Sequence, residues 1–207
     1  MPNRHRHGRT VTTAPTAEPV TLTEVKTHLR ITTSDDDTYL NDLIKTAREY
    51  TERYTSRAFI SQTIDIWFDA FPASSMTPLE LPAPPLISVT HIKYYDNDDV
   101  LQTWSSANYI VDTDGDPGIV YPARNQSWPS PRVFPRSVNV QYLAGYEDSG
   151  ASPVDLADNV PMPIKQAILL LIGHLYENRE ATAPGIAIND VPLSYRTILA
   201  PYKLQAF

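Results

Sequence analysis

Residues 160–181, Val-Pro-Met-Pro-Ile-Lys-Gln-Ala-Ile-Leu-Leu-Leu-Ile-Gly-His-Leu-Tyr-Glu-Asn-Arg-Glu-Ala, restrict the possible folds more than any other stretch of the chain. They predict one buried helix of about 16 residues, roughly 24 Å long. Pro161 and Pro163 stand at its start, where a missing N–H costs nothing, and Pro184-Gly185 follows its last periodic residue. On a helical projection Ile164, Ala167, Ile168, Leu171 and Leu175 share one stripe. Leu169 and Leu170 leave that stripe and flank Gln166, Gly173 and Glu177 on the opposite side. Two apolar edges need two covering surfaces. A small domain supplies one, and a neighbouring layer or a neighbouring subunit supplies the other. The helix is therefore the first sign of an assembly component rather than a free enzyme.

With 207 residues the chain is long enough for one domain or for a domain carrying an insertion. Nineteen Pro against seven Gly favour stiff connections and edge strands over flexible linkers. Cys is absent, which excludes disulfides and thiolate metal sites. The one continuous non-polar run, Ala167–Gly173, is far too short to span a bilayer. Met1–Arg9 lacks the apolar region of a signal peptide, so a soluble cytoplasmic protein is expected. The net charge of −7 is uneven: without Arg4, Arg6 and Arg9, 14 basic residues face 24 acidic ones. An acidic body does not suit wrapping nucleic acid, where Lys and Arg must neutralise phosphates. The basic segment suits an acidic partner or a phosphate; read blandly, it is a disordered tail.

Thr21-Leu-Thr-Glu24 has the form of a capping box and opens a short helix to about Leu29, with Leu22, Val25 and Leu29 on its buried side. The hydroxyls and carboxylates of Thr32–Asp37 suit a helix cap, and a long amphipathic helix follows, from about Asp36 to Thr55. Its apolar positions are Leu40, Leu43, Ile44, Ala47, Tyr50 and Tyr54. From Ser61 the period changes to that of strands. These are expected at 63–68, 79–81, 89–95, 100–104, 109–112, 119–121 and 137–142, with Asp-rich turns at 96–99 and after 112. A last short helix is expected at 192–200. The order helices, strands, helices predicts an α+β fold: a basic tail at 1–20, a helical domain from 21–59 and 146–207, and an antiparallel β domain, sandwich or small barrel, inserted at 60–145.

Little chemistry is legible. His28, His91 and His174 stand alone, and none forms a helical ligand pair. Asp112-Thr-Asp-Gly-Asp116 begins like a calcium loop, but Pro117 and Ala123 occupy the positions that need Gly and Glu, so an acidic hairpin turn fits better. Phosphate-loop, nucleophile-elbow and kinase patterns are absent. Asp65, Asp69, Asp112 and Asp116 are the candidates for carboxylate catalysis, which would require two of them in one pocket. Arg124–Arg132 mixes Arg with Trp128 and suits either stacking on a base or sugar, or a Pro-rich loop anchored by a buried Trp.

Four segments, in order, resemble the head–tail connector (adaptor, or head-completion) proteins of long-tailed bacteriophages and gene transfer agents. They are Leu22–Ile31 with Asp36–Ile44, then Leu81–Asp96, then Val138–Tyr146, and Val160–Glu180. Together they span roughly residues 20–200. The resemblance implies a non-enzymatic protein without cofactor, a twelve-fold ring of itself in the virion neck, assembled in the host cytoplasm. Its implied partners are the portal protein on one side and a tail-completion or tail-terminator protein on the other, with DNA passing through the lumen without sequence-specific binding and no membrane. In that setting Leu169, Leu170 and Gly173 become candidates for the subunit interface. Arg4, Arg6, Arg9, Tyr202 and Phe207 become candidates for docking to the portal or a neighbour, although Tyr202 would equally pack on its own helices. The alternative is a tail or baseplate component whose β module binds carbohydrate or protein. It would need an exposed aromatic cluster around Trp104, Trp128 and Tyr121, whereas a connector would bury Trp128.

Overall fold

The computed structural model describes residues 6–146, 159–179 and 193–204. The chain divides into two compact units, Met1–Pro15 with Ser61–Gly145, and Thr16–Ile60 with Tyr146–Phe207.

The helical unit holds α1 (Leu22–Leu29), α2 (Asp37–Thr55), α3 (Met162–Glu177) and α4 (Leu193–Leu199). The capping box forms as read: Glu24 N–H donates to the Thr21 hydroxyl, and Thr21 N–H donates to the Glu24 carboxylate at 2.6 Å. Arg30 and Ser56, both left-handed, stop α1 and α2. α3 starts after Pro161 and ends at Glu177, ahead of the expected Pro-Gly stop, where Asn178 N–H and Nδ2 both donate to the His174 carbonyl. Its buried side chains are Ile164, Ala167, Ile168, Leu171 and Ile172; Leu175 is only half-buried. They join Val25, Leu40, Leu43, Ile44, Phe59 and Tyr195 in one apolar cluster.

The polar interior of α2 was not read from the sequence. Arg48, Thr51, Glu52 and Thr55 are buried beside the apolar stripe, and Tyr50 is exposed instead. Arg48 donates to Glu18 at 2.7 Å and to Glu52 at 3.0 Å, while the second Glu52 oxygen accepts Phe59 N–H at 2.8 Å. Burial opposes the Arg48 charge, but Glu18 and Glu52 outweigh it and hold its pKa above the ordinary value.

The β unit contains two antiparallel sheets. One has the order β1 (Arg6–Thr13), β2 (Gln62–Phe68), β8 (Val138–Ala144), β4 (Leu86–Tyr95), β5 (Leu101–Trp104). The other has the order β3 (Leu79–Leu81), β7 (Gly118–Pro122), β6 (Tyr109–Asp112). The sheets stay open, so of the two expected forms the closed barrel is ruled out among the described residues. Period-two burial explains the packed face: Ile64, Ile66 and Phe68 of β2 are buried alongside Val138, Val140, Tyr142 and Ala144 of β8. Gly118 permits the close approach of β7, since a Cβ there would lie 2.4 Å from that of Leu86. Tyr142 donates its hydroxyl to the Pro82 carbonyl at 2.6 Å.

One segment differs from the sequence reading. Arg6–Thr13, expected as part of a disordered tail, forms strand β1 and pairs with β2 from Arg6↔Phe68 to Thr13↔Thr63. Arg, His, Gly and Thr give no apolar alternation, and the edge position does not require one.

Candidate assembly interface

The candidate interface residues on α3 separate on inspection. Leu169 is half-buried and packs against the apolar cluster of its own unit. Gly173 faces α1: a Cβ there would lie 3.5 Å from Leu29 Cδ2 and 3.7 Å from His28 Nε2. Leu170 is half-buried and stands outside the cluster.

Beyond α3, Asp36 accepts hydrogen bonds from the Tyr176 hydroxyl at 2.6 Å and from Arg179 Nη2 at 2.9 Å. Those two donors, Tyr176 first, hold its carboxyl below the ordinary value. The Arg179 guanidinium lies 4.6 Å from the ring centres of both Tyr39 and Tyr176. Asp36 belongs to the Thr32–Asp37 segment expected to cap α2. It occupies the N-cap position but makes no side-chain capping bond, because the donors from α3 and the residues after it take its carboxylate. A long-range partner of this kind leaves no local signal in sequence.

Of the C-terminal candidates, Tyr202 is turned inward. Tyr202 packs against the helical core, and its carbonyl accepts from Arg57 Nε at 2.6 Å. Leu204 N–H donates to the Thr55 carbonyl at 3.0 Å, and Lys203 Nζ lies 5.0 Å above the Tyr54 ring. Phe207 and Arg4 lie outside the described residues. Arg6 stands at the first register position of β1, and Arg9 is exposed on the same strand. Arg6 and Arg9 thus lie in the β unit, and Leu169, Leu170, Gly173 and Tyr202 in the helical unit.

The β unit presents more apolar surface. Phe71, Tyr94, Trp104, Tyr109 and Trp128 form a chain of ring contacts, with Phe71 and Trp128 stacked at 5.2 Å. Trp104 is buried, while Trp128 is half-buried and donates its indole N–H to the Ser74 carbonyl. Trp128 is thus neither fully buried nor free, and the rings mostly face one another. An open groove of about 620 Å³ runs past Phe71, Pro72, Trp128 and Pro131. Beyond Pro131 the loop exposes Val133 completely and Phe134 at 62%. Its flanks are fixed. Arg132 N–H donates to the Tyr95 carbonyl, the Arg132 guanidinium stacks on the Tyr95 ring and pairs with Asp99, and Arg136 N–H donates to Asp69.

The carboxylate candidates do not make a site. Asp65 lies in the middle of β2 and Asp69 just after it, whereas Asp112 ends β6 and Asp116 lies in the β6–β7 turn of the other sheet. Asp112 accepts the Asp114 N–H, as hairpin turns require. Among the described residues no three acidic or histidine side chains cluster to hold a metal, and no described helix is long and apolar enough to cross a membrane.

Residues 19–107 match the Phage gp6-like head-tail connector protein family, which bears out the resemblance read from the sequence. Three solved assemblies contain similar chains, with coverage of 97% of both this chain and the matched chain in each case. They are the neck of the empty gene transfer agent (GTA) particle computed with C6 symmetry (TM-score 0.75, 22% identity), the virion of the native particle (0.74, 21%) and the neck of the native particle computed with C12 symmetry (0.73, 21%). No curated protein matches the chain.

Proposed function

We propose that this protein is a structural head–tail connector, a component of the virion neck that forms a ring and joins the DNA-filled head to the tail. The observation that carries the reading is the family match over residues 19–107, together with a likeness to GTA neck chains that extends over 97% of the chain. The cyclic symmetry of those necks supports a ring of identical copies, twelve-fold in this reading. The portal protein above and a tail-completion protein below are the partners such a position demands. An acidic body suits a lumen that DNA must pass without being gripped. The role is structural rather than catalytic.

Light scattering on the purified chain, alone and with purified portal, tests this. The expected result is a mass increase corresponding to a ring of copies on each portal. A chain that ignores the portal, and is found by electron microscopy at the tail tip rather than the neck, would replace the connector with a tail or baseplate module.

A further inference from the structure

The two edges of the five-stranded sheet differ in charge, and the topology sets the charged parts at the same end. All neighbouring strands are antiparallel, so β1 and β5, separated by three strands, run in the same direction. The pairing can be followed across the sheet, with a register shift in β1 between His7 and Arg9. Arg6 lies in line with Phe68, Val138, Tyr94 and Gln102, and Arg9 with Ile66, Val140, Ile92 and Trp104. The first residues of β1 therefore stand level with the whole of β5 and close to the level of the turn before it. β1 carries Arg6, His7 and Arg9 with no acidic residue, and the turn reads Asp96-Asn97-Asp98-Asp99. Asp96 is spent on the turn, accepting from Asp98 N–H, Val100 N–H and Gln102 Nε2. Asp98 is exposed, and Asp99 is mostly exposed although it pairs with Arg132. Apolar side chains accompany both edges: Val11 on β1, and Val100 and Leu101 at the start of β5, are 40–52% exposed.

We infer that β1 of one copy adds to the β5 edge of the next, so that the five-stranded sheets continue from subunit to subunit around the ring. The inference rests on the ring reading above and specifies its contact. Charge fixes the polarity. Two β1 edges repel through their arginines and two β5 edges repel through their aspartates, whereas the β1–β5 contact pairs opposite signs. Opposite edges of one body meet head to tail, and a repeated head-to-tail contact makes a ring where its rotation closes and a filament where it does not, whereas a self-complementary edge would stop at a dimer. Pairing along the four residues of β5 supplies few backbone bonds, so a single contact is weak and closure of the ring holds it.

The chain has no native Cys, so introduced thiols are unique. Thr10→Cys and Thr103→Cys place them on exposed positions of β1 and β5. Full-length protein at high concentration is treated with a short bis-maleimide and sized on a denaturing gel and by native mass. The double variant should give a ladder of multimers. A mixture of the two single variants should stop at dimers, and neither single variant alone should cross-link efficiently. Reversal of charge adds a second readout: Arg6→Glu, at the β1 position nearest the level of the turn, or Asp98→Arg should each weaken self-association about tenfold at low salt, and the pair combined should recover it. Rings that form without the ladder overturn the edge contact and leave the connector reading intact. Cross-linking by one single variant alone overturns the head-to-tail polarity. Failure to cross-link at any concentration, from a chain also absent from particles, overturns both.

Discussion

The two units solve opposite problems. Among the described residues the helical unit is the more closed: its apolar side chains form one cluster, its buried Arg48 pairs with Glu52, and Tyr50 and Met162 are its only exposed large hydrophobic residues. The β unit leaves Val11, Met76, Val100, Leu101, Ile110, Val133 and Phe134 exposed, mostly on edges and on loops whose flanks are pinned. A closed unit supplies stability, whereas an open unit with fixed loops supplies surface for other chains. The comparison moves the search for contacts from α3, where the sequence drew attention, toward the β unit.

The largest effect expected is in the closed unit. Leu171 is 3% exposed on α3, so Leu171→Asp buries a carboxylate among apolar groups and should cost about 5 kcal/mol or more. Circular dichroism should show loss of the cooperative helical transition. A folded variant would mean that α3 is not the spine of its unit. Next comes Glu52→Ala, which takes the acceptor from the buried Phe59 N–H and one of its carboxylates from Arg48, leaving Arg48 with Glu18 and Glu49, and should cost about 2–3 kcal/mol in urea unfolding. A loss below about 1 kcal/mol would show that this network behaves as a surface pair.

The β unit should respond more mildly to a comparable insult. Gly118→Ala drives a methyl into Leu86, and the expected loss is about 1–3 kcal/mol, confined to the transition of the β unit. Smaller again is Tyr195→Phe. The Tyr195 hydroxyl donates to Thr51 Oγ1 at 3.0 Å, and its removal should cost about 1 kcal/mol at neutral pH. Burial pushes the Tyr195 pKa up to about 12. An unfolded tyrosine ionises near 10, so the folded state holds the proton more tightly. The associated stability is complete below about pH 10 and is lost as pH rises from about 10 to about 12. Tyr195→Phe should flatten that alkaline decline, which a series of urea midpoints from pH 8 to pH 12 would measure.

These cases also show what the sequence discloses. The start of α1 and the buried stripe of α2 were legible because their signals are local, the Thr21–Glu24 box and the Leu40–Leu43–Ile44–Ala47 spacing, whereas α3 stops at Glu177, before its Pro-Gly signal. Strands β2 to β8 were legible to within about three residues at their ends, because period two and Asp or Pro punctuation survive in a single chain. Strand β1 was hidden, since an edge strand rich in Arg and Thr carries no apolar rhythm. The Arg48–Glu52 pair had a trace, an i,i+4 couple interrupting an apolar stripe, yet only the fold reveals Glu18 and Phe59 N–H as its partners. At Asp36 the sequence shows the cap position but not the carboxylate's partner, because Tyr176, 140 residues away, supplies the donor. Exposed sites such as Val133 and Phe134 leave no pattern, because an apolar residue in a loop looks the same whether it is buried or presented.

The smallest effect on folding should be the most informative about assembly. Leu170→Asp on the helical unit and Val133→Ser with Phe134→Ser on the β unit all alter positions outside the buried cores, so each protein should keep its stability to within about 0.5 kcal/mol. Incorporation into particles then separates the units. Val133 and Phe134 are held out by a loop whose flanks are already bonded; Val133 is fully exposed, and the Phe134 ring, 62% exposed, meets the Arg132 guanidinium at 5.1 Å. If the β unit is the open one, the loop variant should lose incorporation, read as the ratio of this protein to portal in purified particles, more strongly than Leu170→Asp does. The reverse order, with Leu170→Asp folded but excluded and the loop variant incorporated normally, would return the principal contact to α3. Equal incorporation of both would mean that neither surface is covered in the particle, and that the exposed loop is held rigid for a reason other than assembly.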